Sequence, residues 1–327
     1  MNAVDSKPRL IVIAGPTGVG KTGIALQLAA VFGGEIISAD AMQVYRLMDI
    51  GTAKPNMHQR SLVRHHLLDV VAPDEPFNAA LFVQWAQPVI EDLHRRQKPI
   101  FVVGGTGLYI KALLGGLLAG PEADPGLRKT YREELSQYGR AYLYEKLKNR
   151  DEQSARRIHP NDTVRIIRAL EVIEISGQSI VEQQKRHGFR EKRYDCLKIG
   201  LKMARKGLFD RIDGRTDHMM TEGLVEEVRS LLAMGYNESL KSMQSLGYKQ
   251  IARHLNGVYD LPAAIQRIKR DTRHYAKRQM TWFGSDPEMT WFDPDDRVGI
   301  GGIVASFLDN NGHCHTGGTT PPEKEIA

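Results

Sequence analysis

Gly15-Pro16-Thr17-Gly18-Val19-Gly20-Lys21-Thr22 fits G-x-x-x-x-G-K-[ST], and no other stretch limits the folding of this chain as strongly. Glycines at these places let backbone N–H groups turn inward around an anion, and a helix beginning at Lys21 adds its positive end. Lys21 supplies a point charge for phosphates, and the Thr22 hydroxyl suits a Mg²⁺ ligand. The surroundings support the pattern. Ahead of it, Leu10-Ile11-Val12-Ile13-Ala14 is a short apolar run that reads as a strand buried on both faces. Behind it, Ile24, Leu26, Leu28 and Val31 keep helical spacing up to a C-cap signal at Gly33-Gly34. Taken alone, the cradle suits a triphosphate in a kinase and a diphosphate leaving group in a transferase equally well.

The strand–helix alternation continues. Glu35 to Ala39 reads as a second strand, and Pro99 to Val103 as another, stopped by Gly104-Gly105 with a helix starting near Thr106. Between them Asn78 looks like an N-cap, followed by Leu81, Trp85, Val89 and Leu93 at every fourth position; Pro88 should bend that helix. This order implies a right-handed parallel sheet with helices on both sides. The rhythm changes near Gly115-Gly116 and Pro121 to Pro125. From about 126 to 190 the sequence is helical and charge-rich, as in Arg128 to Tyr144 and Val164 to Ile175. Sheet pattern returns at Cys196 to Met203, and 208–283 is again mostly helical. Trp291-Phe292 looks like a last strand and Ile303 to Leu308 a last helix. The expected fold is α/β: a P-loop parallel-sheet core, 1–120 with 195–308, and an inserted all-helical domain, 121–194. The Gly-, Thr- and Pro-rich tail, 309–327, reads as disordered.

Asp40 follows the second strand, so it should face the cradle across the crevice at the strand ends. By spacing alone it fits a general base, a metal ligand or a turn residue. The stretch from Ala41 through Lys54-Pro55 is long and aperiodic, which often marks a functional loop. A nucleotide-hydrolysing enzyme would carry an apolar strand ending in Asp, for which Leu67-Leu68-Asp69 is only a weak candidate. The 45 Lys and Arg exceed the 39 Asp and Glu, a formal charge of +6, and part of the excess is clustered. Arg267, Lys269, Arg270, Arg273, Lys277 and Arg278 face one acid, Asp271, with His274, Tyr275, Trp282 and Phe283 interleaved. Arg156, Arg157, His159, Arg165 and Arg168 form a second patch in the insertion. Basic side chains neutralise phosphates and aromatic faces stack on unpaired bases, so both patches suit a nucleic acid; each also suits an ordinary solvated helix face. The two cysteines, Cys196 and Cys314, lack ligand spacing, and no apolar run reaches membrane-spanning length. A cytoplasmic protein without a secretory signal or membrane anchor is expected.

The segments GPTGVGKT at 15–22, ISADAMQVYRLMDIGTAKP at 37–55, VGGTGLYIKALL at 103–114, IHPNDTVRIIRALEV at 158–172, LGYKQI at 246–251 and AKRQMTWF at 276–283 resemble, in order, the tRNA dimethylallyltransferase family. The resemblance covers residue 10 to about 295. It implies transfer of a dimethylallyl group from dimethylallyl diphosphate to N6 of the adenosine 3′ of the anticodon, releasing pyrophosphate. It also implies a helical insertion that grips the tRNA anticodon stem-loop, Mg²⁺ as cofactor with Thr22 as its ligand, and a monomer. On matching positions, Gly15, Thr17, Gly18, Val19, Gly20, Lys21 and Thr22 hold the diphosphate. Arg215 is a candidate for a further diphosphate contact or else a surface helix arginine. Asp40 is the general base, and Ala41, Met42 and Gln43 adjoin the tRNA base. Thr106, Arg128, Val164, Arg165, Ile166, Ile167, Arg168, Gln244, Ser245, Leu246, Gly247, Tyr248, Lys249, Lys277, Arg278 and Gln279 match tRNA contacts. Ala41 stands where the family commonly has serine, and Gln244-Ser245-Leu246 replaces its usual Thr-Ile. The Cys/His finger of eukaryotic relatives is absent, and His313-Cys314-His315 lacks ligand spacing.

The chemistry agrees with these roles. Adenine N6 is a weak nucleophile, helped by a carboxylate that accepts its proton, while charge on the departing pyrophosphate needs N–H groups, Lys21 and Mg²⁺. A base in a stem-loop must leave its stack to reach such a site. The alternatives are an adenylate isopentenyltransferase, a P-loop small-molecule kinase and a non-catalytic P-loop RNA-binding protein. Two basic patches argue against the first two, and Asp40 beside an intact cradle against the third.

Overall fold

The computed structural model describes residues 7–116, 120–187 and 192–309. Its contacts divide the chain into two compact units, one from residues up to Ile110 and from Tyr194 on, the other Lys111–Arg193.

The first unit is built on a six-stranded sheet with every pair parallel: β1 (Arg9–Ala14), β2 (Glu35–Ser38), β3 (His65–His66), β4 (Ile100–Gly104), β5 (Asp195–Leu201) and β6 (Thr290–Phe292), in spatial order β3-β2-β4-β1-β5-β6. β1 lies between β4 and β5, in register Val12 with Val102 and Lys198. Burial on both faces explains its unbroken apolar run: Leu10 to Ala14 are fully buried, and each large side chain contributes about 2 kcal/mol. Helix α1 (Lys21–Phe32) starts at Gly20 and stops at Gly33, whose φ of 67° closes the last turn. α2 (Met57–Leu62) is a single capped turn-and-a-half, with Asn56 and Gln59 exchanging hydrogen bonds.

One expectation changes. Helix α3 (Ala79–Arg95) begins at Asn78, whose side chain accepts from Ala80 and Leu81 N–H, but it buries Phe82, Val83, Ala86, Ile90 and Leu93. Of the expected stripe only Leu93 is buried; Trp85 is exposed, because Phe82 and Val83 claim the core and turn the face by one residue. The helix also runs continuously through Pro88, whose ring lies on the exposed side. β3 is two residues long, too short to leave a periodic signal, and enters the sheet only by pairing Ile36 with His65.

After β5 come α9 (Arg205–Thr221), α10 (Leu224–Ala233), α11 (Tyr248–Leu255), α12 (Leu261–Gly284) and α13 (Arg297–Asp309), with α4 (Gly107–Gly115) following β4. The tail beyond 309, with His313, Cys314 and His315, lies outside the described residues.

The second unit is helical among its described residues: α5 (Pro125–Arg150), α6 (Glu152–Arg157), α7 (Thr163–Ser176) and α8 (Ile180–His187). α5 is two helical stretches joined at Gly139, whose φ of 81° a larger residue would not readily adopt. Tyr131, Leu143, Leu147, Ile166, Ala169 and Leu170 form its core. Beside them, fully buried Glu171 accepts Nε of Arg128 at 2.8 Å and the N–H of Asp124 at 2.8 Å, and also pairs with Arg168. Burial would raise this carboxyl, but the two guanidiniums hold it below the usual range.

Candidate functional site

The loop after β1 folds as a nest. Gly15, Gly18 and Gly20 have φ of 147°, 84° and 104°, and a Cβ on Gly15 would stand 2.6 Å from the Leu201 carbonyl oxygen. Only glycine meets both conditions, and the turns leave the N–H groups and the start of α1 directed at one point. Gln279, far along α12, ties this nest in place. Its Oε1 accepts the Thr17 N–H at 2.8 Å and its Nε2 donates to the Gly105 carbonyl at 2.8 Å.

A cavity of about 310 Å³ opens on the nest, bordered by Thr17, Gly18, Gly20, Lys21, Thr22, Asp40 and Arg215. Cradle and carboxylate therefore share one space, as the strand topology requires. Lys21 Nζ donates to the Gly15 and Pro16 carbonyls at 3.0 and 2.8 Å. Its pKa is lowered to about 7 because burial penalises the ammonium; Asp40 opposes this fall and Arg215 adds to it. Arg215 donates to the Thr17 hydroxyl at 2.6 Å, so the structure places it in the cavity rather than on a free helix surface. Burial lowers its guanidinium too, against the attraction of Asp40.

Asp40 follows β2 by two residues, and its Oδ1 accepts Met42 N–H at 2.8 Å and Gln43 N–H at 3.3 Å, which fixes the carboxylate's orientation. Thr106 accepts the Ala41 N–H at 3.0 Å. Gln43 borders the cavity, its Oε1 accepting from Ser38 and its Nε2 directed at the Thr52 and Ala53 carbonyls, 3.3 Å each. Tyr275, near the same carboxylate, has its pKa raised to about 12, by burial first and by the Asp40 charge second. Tyr109 shifts up for the same two reasons, with Tyr45 between them in weight.

The long loop is held from outside. Glu227 on α10 accepts the N–H groups of Asp49, Ile50 and Gly51, at 2.9, 2.8 and 3.2 Å, and the Tyr248 hydroxyl at 2.5 Å. Lys54, whose side chain is only 1% exposed, donates to the Tyr45 carbonyl and to Asp49 and Asp69. Asp69 also pairs with Arg60 at 2.6 Å, and these two cations depress its pKa against its burial. Asp69 therefore is not a metal-binding strand end; it locks the loop. No group of three or more His, Cys, Asp or Glu that could hold a metal occurs among the described residues.

The residues matched to tRNA contacts divide by exposure. Val164, Arg165, Gln244, Lys277 and Arg278 are exposed. Ile166, Ile167, Gly247, Tyr248 and Gln279 are buried, and Arg128 and Arg168 are engaged with Glu171. At these five positions the residue packs against the protein or ties the cradle, and the match to tRNA contacts rests on sequence position alone. Ser245 donates to the Ser242 carbonyl, and Leu246 and Lys249 are half-buried. In the 266–283 segment Lys269 pairs with Asp217, Arg273 with Asp213 and Arg270 with Asp271, while Arg267 lies over Tyr259. The apparent run of six cations thus leaves Lys277 and Arg278 beside exposed Trp282.

A profile described as IPP transferase matches residues 43–286. The chain is 56% identical over 302 residues to tRNA dimethylallyltransferase 2 of Syntrophus aciditrophicus, covering 92% of this chain and 97% of that protein. It is 49% identical over 304 residues to tRNA dimethylallyltransferase of Desulfatibacillum aliphaticivorans, covering 93% and 99%. Among solved structures it is similar to the full-length tRNA isopentenylpyrophosphate transferase of Bacillus halodurans, with TM-score 0.69, 40% identity and coverage of 92% and 97%. It also matches a eukaryotic dimethylallyltransferase acting on tRNA, with TM-score 0.74, 29% identity and coverage of 92% and 79%.

Proposed function

This chain belongs to the IPP transferase family, the tRNA dimethylallyltransferases, and from that premise we propose that it moves a dimethylallyl group from dimethylallyl diphosphate to N6 of the adenosine 3′ of the anticodon in tRNA. The observation that carries the reading is the single cavity bordered by both the anion nest and Asp40.

The nest's N–H groups, Lys21 and Arg215 bind the diphosphate. Lys21, near neutrality when the cavity is empty, takes up a proton as the anion arrives, since the anion favours the ammonium. In the transfer, the bond from allylic carbon to diphosphate oxygen breaks and a bond from that carbon to N6 forms. The N6 proton passes to Asp40, and pyrophosphate leaves with the bonding electrons. Charge grows on the leaving oxygens, where the nest is already organised to receive it. Asp40, oriented by the Met42 and Gln43 N–H groups, presents its other oxygen to the nucleophile. The Thr22 hydroxyl, at the cavity's border, is the group that would hold a Mg²⁺ there. When bound, that ion neutralises diphosphate charge. Lys277, Arg278 and Trp282 suit phosphate contact and base stacking on the tRNA partner.

The test is incubation of the full chain with dimethylallyl diphosphate, Mg²⁺ and unmodified tRNA, followed by mass analysis of nucleosides. Prenylated adenosine is expected. Asp40→Ala should lower turnover by about a hundredfold or more while tRNA affinity changes little. Product with free AMP but with no tRNA would assign the chain to the adenylate enzymes instead. An equal fall in binding and turnover would remove the base role from Asp40.

A further inference from the structure

The transfer joins two groups that sit on different strand ends, the diphosphate in the nest after β1 and the Asp40 carboxylate after β2. β4 stands between those strands, so the two loops are two inter-strand steps apart, roughly 10 Å of sheet. Loops at strand ends are the least constrained part of a sheet. Bond formation nevertheless asks for reacting atoms about 3–3.5 Å apart and aligned. A link between the loops, across the end of β4, would set that spacing.

Gln279 makes such a link. Its side-chain oxygen accepts the Thr17 N–H and its nitrogen donates to the Gly105 carbonyl, 2.8 Å each. An N–H can only donate and a carbonyl can only accept, so the amide has one possible orientation. The residue is 6% exposed, and a Cβ on Gly105 would stand 2.2 Å from Nε2, so the amide is wedged against that loop. From Gly105 the link reaches Asp40 through the next residue. The Thr106 N–H donates to the Ala39 carbonyl at 3.2 Å, and the Thr106 hydroxyl accepts the Ala41 N–H at 3.0 Å. Both neighbours of Asp40 are therefore held by Thr106. The amide also hydrogen-bonds Tyr275, one turn back on α12 and close enough to Asp40 to feel its charge. Because the Thr17 N–H is turned to Gln279, binding of the anion falls to the later N–H groups of the nest, with Lys21 and Arg215.

We propose that Gln279 is a positioning residue: by linking the loop after β1 to the loop after β4, it fixes the separation between the diphosphate nest and the Asp40 carboxylate. It acts on the transfer step and not on the affinity for either substrate. This deepens the transferase reading and rests on it for the identity of the reactants. The competing role is a direct touch on tRNA, and the two roles predict different losses.

Gln279→Leu removes both hydrogen bonds at similar volume, while Gly105→Ala keeps the amide and displaces it from the other side. With dimethylallyl diphosphate, Mg²⁺ and unmodified tRNA saturating, the single-turnover rate should fall about a hundredfold in Gln279→Leu and about tenfold in Gly105→Ala. The Kd for pyrophosphate with Mg²⁺, by calorimetry, and the Kd for tRNA should each change less than about threefold. The double variant should be at most about twofold slower than Gln279→Leu, since both substitutions cut one link. Multiplied losses overturn the proposal. So does a tenfold weaker tRNA affinity with the saturated rate unmoved, which would make Gln279 an RNA contact. Should Gln279→Leu fail to fold, the rate and affinities of Gly105→Ala still decide. Hydrogen exchange of the full chain without substrates gives a readout independent of turnover. Gln279→Leu should speed exchange in residues 15–20 and 103–107 together, and an unchanged rate in either loop overturns the link. If the wild type prenylates no tRNA while both loops loosen in the variant, the link stands and the transferase reading falls.

Discussion

Lys21 shows how far a side chain's chemistry depends on what surrounds it. Sequence marks it as the lysine of a phosphate cradle but says nothing of its charge. Burial lowers its pKa to about 7, with Asp40 pulling the other way. Competitive amine labelling of the free protein should therefore give Lys21 a reactivity midpoint near pH 7, moving upward when pyrophosphate and Mg²⁺ fill the cradle. A midpoint near the ordinary lysine value of 10.5 would mean the ammonium is not desolvated. The eight cradle residues and Asp40 were legible because strand, turn and helix impose them locally. Arg215 and Gln279 were only half legible. Their residue types suited an anion and an RNA, yet their partners, the Thr17 hydroxyl and N–H, are brought to them by the fold across the sequence. His65, at the cavity's border, left no signal at all, since a two-residue strand has no period to read.

Among the elements, the loop from Asp40 to Pro55 is ordered by charge as well as by the buried Val44, Tyr45 and Met48. Three consecutive N–H groups converge on Glu227, an anion-binding turn whose anion is supplied by α10. Glu227→Ala should cost about 2 kcal/mol and speed hydrogen exchange across residues 48–54, with strand β1 unaffected. Unchanged exchange in the loop would show that Lys54 and its two carboxylates suffice. The sequence announced a loop of functional length here but not its anchors, because both lie on other elements. The same limit explains α3. Periodicity located the helix and its cap, yet which stripe faced inward was settled by Phe82 and Val83 against the sheet. In α12, the six cations were legible and their pairing was not, since Asp213 and Asp217 come from α9.

For the whole molecule, the two units draw on separate cores, and that separation can be tested at Glu171. Its carboxyl is held below the usual range by Arg128 and Arg168, so the stability it contributes is complete above the ordinary value of 4.5 and is lost as pH falls through the depressed folded value. Glu171→Gln leaves two guanidiniums, each about a third exposed, without their carboxylate. The helical unit should lose about 2–3 kcal/mol, read as faster exchange in α5 and α7 with the cradle peptides unchanged. Equal loosening of β1 and α1 would mean the units unfold as one. The sheet carries a consequence for synthesis. β1 leaves the ribosome first, yet one of its two neighbours, β5, follows only after the entire helical unit has been translated. A nascent polypeptide arrested before residue 195 exposes a bare edge of fully apolar strand, the surface on which newborn chains clump or recruit holdases.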